Sequence, residues 1–169
     1  MDIIFKRRSV REFKDLPVED EKIEMLLKAG MQAPSANNQR PWYFLVIKDE
    51  QKMKELEAVS RVLPKAKCAI LLLYKNENLV SPGMVASDMG AAMQNMLLET
   101  AHLGLGGVWI GLYSADNKTK TKVENCRRIC NVPEEYELYS MIALGYPEKE
   151  DANHFVDRYD QSRVFYEKI

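Results

Sequence analysis

The sequence has few cysteines and no long apolar stretch. It contains three cysteines in 169 residues, and Cys126 and Cys130 lie four apart without the paired Cys or His residues of a zinc or iron–sulfur site. We therefore predict that the cysteines are packing thiols and that the chain holds no metal. The longest purely apolar run, residues 68–74, is much shorter than the roughly 18 residues that a membrane helix needs. No membrane partner is expected.

A strong charge of either sign is also missing. The 24 Lys and Arg residues oppose 25 Asp and Glu residues, which gives a net charge of -1. This balance excludes a broad polyanion-binding surface, so no nucleic-acid partner is expected. The first five residues are too short for a signal peptide and precede their arginines, which favours a cytoplasmic location. A chain of this length is typical of a single domain, here residues 1–169.

The usual sets of catalytic side chains are absent from the sequence. His102 and His154 belong to no recognisable nucleophile–base pattern, and neither G-x-S-x-G nor HExxH occurs. If the protein is an enzyme, its reactive group is therefore expected to come from a bound cofactor.

The apolar pattern predicts alternating helices and strands. Helices are expected from about residue 20 to Pro34, from Asp49 to Pro64, over 84–103 and over 118–130, and strands at 42–47, 68–74, 108–112 and 139–144. This order predicts a single sheet with helices against it, an α+β or α/β domain. The polar tail, residues 150–169, cannot build a core of its own.

Residues 7–11, the arginine segment, have the sequence Arg-Arg-Ser-Val-Arg. Three guanidinium groups and a hydroxyl can offer forked donors to a phosphate or a carboxylate. A solvated basic face is the alternative interpretation.

Residues 33–42, the amide loop, combine small residues with side-chain amides between a helix and a strand. Such a loop can hydrogen-bond a polar planar ring, although Ser35 and the two asparagines can equally cap neighbouring backbone groups.

Residues 104–111, with the sequence G-L-G-G-V-W-I-G, fail the dinucleotide fingerprint. Trp109 stands where the third glycine should be, and the segment leads into a strand instead of a helix. A helix C-cap followed by a tight turn explains these glycines equally well.

Taken together and in this order, the segments resemble the FMN-dependent nitroreductase family in its compact form. The resemblance is carried by R-R-S-x-R at 7–11, P-S-x-x-N and P-W within 34–42, the helical residues Asp88, Gly90, Ala92 and Asn95, the glycines of 104–111, P-E-x-Y at 133–136 and G-Y-P at 145–147. It implies an α+β fold, a three-layer α/β/α sandwich with a central, mostly antiparallel sheet. It also implies an intertwined homodimer with FMN at the interface.

The activity that the resemblance implies is a ping-pong transfer of hydride from NADH or NADPH, through FMN, to a small-molecule acceptor. Nitroaromatics, quinones and similar compounds are the expected acceptors, and the chemistry would be carried by FMN without a catalytic side chain. An FMN-binding protein for sensing or storage, which NAD(P)H does not turn over, is the alternative. A flavin enzyme of other chemistry, such as reductive dehalogenation, is a further one.

The resemblance also implies which residues bind FMN. The phosphate and the pyrimidine edge would be held by Arg7, Arg8, Ser9 and Arg11. The isoalloxazine would be lined from the partner subunit by Pro34, Ser35, Ala36 and Asn38, and it would meet backbone groups of Ile110 and Gly111. The tail residue that reaches the phosphate would be Arg158, with Arg163 as second choice. The tail is expected to dock on the partner subunit.

Two positions depart from the family pattern. Arg40 stands where the family often has Gln, and we expect it to favour anionic acceptors. The chain ends in Phe-Tyr-Glu-Lys-Ile, whereas many relatives end in Trp.

Overall fold

The computed structural model describes residues 2–113 and 117–169. The chain forms five helices and four strands in these ranges, in the order α1 (Ile3–Lys6), α2 (Asp20–Met31), β1 (Trp42–Ile47), α3 (Glu50–Glu55), β2 (Cys68–Tyr74), α4 (Val85–His102), β3 (Gly106–Gly111), α5 (Asn117–Cys130) and β4 (Glu137–Gly145). Short 3-10 turns lie between these elements and in the tail.

The four strands form an antiparallel sheet in the order β1-β2-β4-β3. The central strands β2 and β4 are buried along almost their whole length. Burial on both faces explains why these two strands are continuous apolar runs instead of alternating ones. The predicted antiparallel sheet is confirmed.

Two apolar cores lie on opposite faces of the sheet. One core contains Leu26 of α2 with Met89 and Met93 of α4, and the other contains Met53 of α3 with Ile129 of α5. Helices therefore cover both faces, and the predicted α+β, three-layer sandwich is confirmed.

The three cysteines are buried and form no disulfide, as predicted for packing thiols. Burial raises the pKa of the Cys68 thiol to about 12. A thiol with so high a pKa is a poor nucleophile at neutral pH.

The helix predicted between Asp49 and Pro64 is only half correct. Asp49 caps α3 by accepting a hydrogen bond from the Lys52 N–H at 2.8 Å, but α3 ends at Glu55. Two 3-10 turns, Leu56–Ala58 and Leu63–Lys65, replace the rest of the helix. They bury Leu56 and Leu63 in the core between α3, α5 and the sheet.

Strand β3 begins two residues earlier than predicted because its glycines have strand partners. Gly106 pairs with Gly145 and Gly107 with Leu144. On the outer side, the Val10 N–H donates to the Gly107 carbonyl at 3.0 Å. The arginine segment thus runs along the start of this edge strand.

No helix in the two described ranges is both long enough and apolar enough to cross a bilayer.

Gly106→Ala is expected to destabilise the fold, because a Cβ at this position would lie 2.6 Å from Val10 Cβ. Overpacking of this kind costs about 1–3 kcal/mol, which thermal unfolding of the variant would detect as a lower Tm. Gly83→Ala is the control, since a Cβ there meets nothing within 4 Å. Equal Tm values for the two variants would contradict the close packing of Val10 on Gly106.

Candidate cofactor site

The arginine segment is held in place by the start of the tail. The Arg8 N–H donates to Asn153 Oδ1 at 3.1 Å, and Asn153 Nδ2 donates to the Leu105 carbonyl at 2.9 Å. The Val156 N–H also donates to the Phe5 carbonyl at 3.1 Å. These contacts fix residues 5–8 beside the chain that connects α4 to β3.

The arginine segment carries positive charge without a carboxylate to neutralise it. No salt bridge in the described part of the chain includes Arg7, Arg8, Arg11 or Arg158. Partial burial lowers the pKa of Arg7, and the positive charges of Arg8 and Arg158 lower this pKa further. The half-buried Arg7 and Arg8 argue against a simple solvated face and indicate a place for an anion.

The arginines of the segment differ in how their guanidinium groups are used. Arg8 donates from Nη1 to the Arg7 carbonyl at 2.6 Å and from Nη2 to the Phe5 carbonyl at 2.5 Å. Its Nε is buried and has no hydrogen-bond partner among the described atoms. Arg11 is exposed and donates from Nη1 to the Ser9 carbonyl at 3.2 Å. Ser9 is exposed beside it. The segment therefore keeps donors available for a ligand.

The two candidate arginines of the tail have different surroundings. Arg163 donates from Nε to Asp160 Oδ2 at 3.1 Å, whereas the charge of Arg158 acts on Arg7. Arg158 is thus the tail arginine that lies near the segment. Its contact with a phosphate stays a prediction.

The amide loop is anchored to the first turn of α4. The buried Asp88 accepts from the Ala36 N–H at 2.9 Å through Oδ1 and from Gln39 Nε2 at 2.6 Å through Oδ2. Gln39 also joins Ser81, donating to its carbonyl at 3.1 Å and accepting from its N–H at 2.9 Å. The network ties three separate parts of the chain together.

Several backbone conformations in the amide loop are unusual. Asn37, Asn38 and Arg40 have left-handed φ angles of 50°, 53° and 46°. Asparagine adopts this region more readily than arginine. Ser35 Oγ accepts from the Arg40 N–H at 3.0 Å, so the capping interpretation holds for Ser35. Asn37 Nδ2 likewise bonds Ser81 Oγ at 2.7 Å.

The ligand-facing candidates of the amide loop are more open. Pro34 and Asn38 are exposed, and Ala36 is half-buried. The Asn38 side chain has no hydrogen bond to another residue within 2–113 or 117–169, so its amide is free to meet a ligand. Arg40 is exposed next to it.

The outer edge of β3 offers backbone groups beyond the arginine segment. Because Gly107 accepts from Val10 on this outer side, and directions alternate along a strand, Trp109 and Gly111 also direct their backbone groups outward. Those of Ile110 point to β4. Gly111 is exposed, with no atom within 4 Å of where a Cβ would stand. Of the two predicted residues, Gly111 has the accessible backbone groups.

Within one chain the two halves of the predicted site lie at diagonal corners of the sheet. The amide loop leads into β1 at one edge, whereas the arginine segment borders β3 at the other. They also lie at opposite ends, because Trp42 pairs with Tyr74 while Gly106 pairs with Gly145 at the far end of β4. Within one chain, the length and the width of the sheet therefore separate the two halves.

A comparison with known protein families shows to which family the chain belongs. The model of the Nitroreductase family matches residues 4–67 and 60–146. The chain belongs to the Nitroreductase family. The resemblance seen in the sequence motifs is thereby confirmed.

Relatives extend over almost the whole chain. An Archaeoglobus fulgidus protein named "Putative NADH dehydrogenase/NAD(P)H nitroreductase" is 36% identical over 99% of this chain and 97% of its own length. The crystal structure of a "Putative NADH Oxidase" from Clostridium acetobutylicum is 42% identical, with a TM-score of 0.91 and coverage of 99% of this chain and 100% of that one. The crystal structure of a "putative nitroreductase in complex with fmn" from Desulfovibrio desulfuricans is 30% identical, with a TM-score of 0.82 and coverage of 99% of this chain and 96% of that one.

Sequence reasoning missed the residues that hold the candidate site residues in place through hydrogen bonds. Asp88 entered only as part of a motif, although an acidic residue among Val85, Met89 and Ala92 on an apolar helix was a usable signal. Gln39 and Asn153 carried no comparable signal, because their roles depend on tertiary contacts.

Asn153→Ala is expected to loosen the tail and the arginine segment. The change removes both side-chain hydrogen bonds and leaves the Arg8 N–H and the Leu105 carbonyl without them, a cost of about 1–3 kcal/mol. Urea unfolding would show the loss, and trypsin would cleave faster after Arg158. Asn76→Ala, which removes one exposed contact of 3.5 Å, is the control. Tail cleavage at the same rate in both variants would contradict the anchoring role.

Proposed function

We propose that the chain binds FMN and that, with FMN, it is an oxidoreductase that moves hydride from NADH or NADPH to a small organic acceptor. The arginine cluster carries this proposal, because Arg7, Arg8 and Arg158 gather positive charge with no carboxylate partner. Family membership and the FMN complex of the Desulfovibrio relative support it. Nitroaromatics and quinones are the proposed acceptors.

The residues fit the two chemically different ends of FMN. A dianionic phosphate suits Arg7, Arg8, Ser9, Arg11 and Arg158, since guanidinium donors form strong, charge-assisted bonds with phosphate oxygens.

The planar, polar ring of FMN suits the other candidate groups. The outward backbone groups of Gly111 can meet its nitrogens and carbonyls, and the absence of a side chain lets the ring approach the strand. Pro34, Ser35, Ala36 and Asn38 supply small and polar contacts from the amide loop. Bound FMN supplies the hydride chemistry, and the chain binds and orients it.

The spacing along β3 agrees with an elongated ligand. Gly107, beside the arginine segment, and Gly111 are four residues apart, about 13 Å at 3.3 Å per residue. A ligand with a phosphate at one end and a ring at the other can lie along this open edge.

The diagonal placement of the amide loop supports a homodimer with FMN at the interface. One chain would provide the arginine segment and the β3 edge, and its partner would provide the amide loop. The start of the tail bonds its own chain through Asn153 and Val156, and we propose that the rest of 150–169 docks on the partner. The tail carries large apolar side chains that are exposed in the single chain: Phe155, Tyr159, Val164, Phe165, Tyr166 and Ile169. Covering them requires a second surface.

Anaerobic addition of NADH or NADPH to the FMN-loaded protein tests the proposed function. We expect the visible absorbance of the flavin to fall within the time of a turnover and to return when p-benzoquinone is added. An unchanged spectrum would favour an FMN-binding protein of another role. A purified protein that does not take up FMN would contradict the whole proposal.

The double variant Arg7→Ala/Arg11→Ala is expected to lose FMN but keep its fold. Bonds to a charged group contribute about 1.5–3 kcal/mol each, so the Kd for FMN should rise by about two to four orders of magnitude. Quenching of flavin fluorescence measures the Kd. Arg61→Ala/Arg128→Ala removes the same charge from exposed positions and should leave the Kd unchanged. Normal FMN affinity in the first variant would show that the arginine segment is not the phosphate site.

A further inference from the structure

We infer that Asp88 is a positioning residue that holds the amide loop in the conformation needed to contact the flavin ring. This inference rests on the proposed function, because it assigns a purpose to a loop that the proposal places against the ring. Asp88 itself would not touch FMN.

Both carboxylate oxygens of Asp88 accept hydrogen bonds from the amide loop. Its side chain lies in the first turn of α4 and is 4% exposed. Oδ1 accepts from the Ala36 N–H and Oδ2 from Gln39 Nε2, at 2.9 and 2.6 Å. No Lys or Arg pairs with it in the part of the chain that the structure describes. Its charge is therefore balanced by neutral donors and by the positive end of the α4 dipole.

The two hydrogen bonds bracket two of the three left-handed residues of the loop. Ala36 lies immediately before the left-handed Asn37 and Asn38, and Gln39 lies immediately after them. Left-handed backbone is unfavourable for residues other than glycine and persists only where the surroundings enforce it. Asp88 fixes both ends of this turn, so without it the loop is expected to relax.

The bracketed turn contains or adjoins three of the four loop residues proposed to line the ring. Ser35 and Ala36 lie at its first anchor and Asn38 within it, so small shifts at Asp88 move all of them together. A hydrogen-bonded loop of this kind lowers the entropy lost when the ligand binds. FMN affinity should therefore depend on a carboxylate that the ligand never meets.

The direction of the hydrogen bonds makes Asp88→Asn informative. Asparagine has nearly the same size as aspartate but only one acceptor oxygen. Its NH₂ group would therefore face either the Ala36 N–H or Gln39 Nε2, and both of these are donors. A 180° rotation of the Gln39 amide cannot relieve this conflict, because its Oε1 accepts a hydrogen bond from the Ser81 N–H.

Gln39→Glu creates the opposite conflict, with two carboxylates facing each other. The double variant Asp88→Asn/Gln39→Glu restores the pairing, since the amide introduced at position 88 can donate to the carboxylate introduced at position 39. The Ser81 N–H keeps its acceptor. The donation to the Ser81 carbonyl is lost, and a carboxylate oxygen then faces that carbonyl, so the double variant restores the pairing with position 88 but not the contact with Ser81.

FMN binding and amide hydrogen exchange over residues 33–42 test the inference in wild type, both single variants and the double variant. We expect each single variant to weaken FMN binding by about tenfold to a hundredfold and to speed exchange in the FMN-free protein. The double variant should bind FMN more tightly, and exchange more slowly, than either single variant. Glu99→Gln, on the same helix but with no contact to the amide loop, should change neither.

Two results would overturn the inference: wild-type affinity and exchange in Asp88→Asn, or a double variant no better than the single ones. Failure of the wild-type protein to bind FMN would instead overturn the proposed function. The exchange rates of the FMN-free protein would then still decide whether Asp88 holds the loop.

Discussion

Helix α4 sets the distance between the two halves of the site. Its 18 residues span about 27 Å, with Asp88 holding the amide loop at the first turn and Leu105 receiving Asn153 just beyond the last. The helix is locked between α2 and the sheet by buried methionines and small residues, so neither end can shift alone. The diagonal arrangement, and with it the proposal of a site shared by two chains, follows from this packing.

The two halves are prepared for a ligand by different physical means. At the arginine segment, positive charges gather without neutralisation, although nearby basic residues are paired: Lys65 with Glu12, and Lys67 with Asp15. Repulsion there disfavours the ligand-free fold and is relieved when an anion binds. In the amide loop, the buried carboxylate of Asp88 accepts hydrogen bonds from the Ala36 N–H and from Gln39 Nε2. These bonds fix the conformation of the loop. The arginine segment thus attracts an anion, whereas the amide loop presents a fixed conformation.

The sequence was sufficient for features that depend on local pattern. The strands Trp42–Ile47 and Cys68–Tyr74 were predicted to the residue. The first is rich in aromatic and β-branched side chains, and the second is a short continuous apolar run, the pattern of a strand buried on both faces. The start of β3 was missed, since Gly106 and Gly107 have low strand propensity and extend only because β4 pairs with them. The backbone directions that distinguish Gly111 from Ile110 likewise depend on strand pairing.

The candidate site shows the same division between local and tertiary information. The cationic character of residues 7–11 is visible in composition, but the absence of carboxylate partners is visible only in the folded chain. Ser35 illustrates the limit most clearly. Its sequence position does not show whether the hydroxyl bonds the ligand or the backbone; in the structure its oxygen accepts from the Arg40 N–H, which leaves its O–H available to a ligand. A family motif can therefore include residues for two reasons, contact with the ligand and support of the residues that make contact. Asp88 belongs to the second kind, because both of its carboxylate oxygens accept hydrogen bonds within the chain before any ligand arrives.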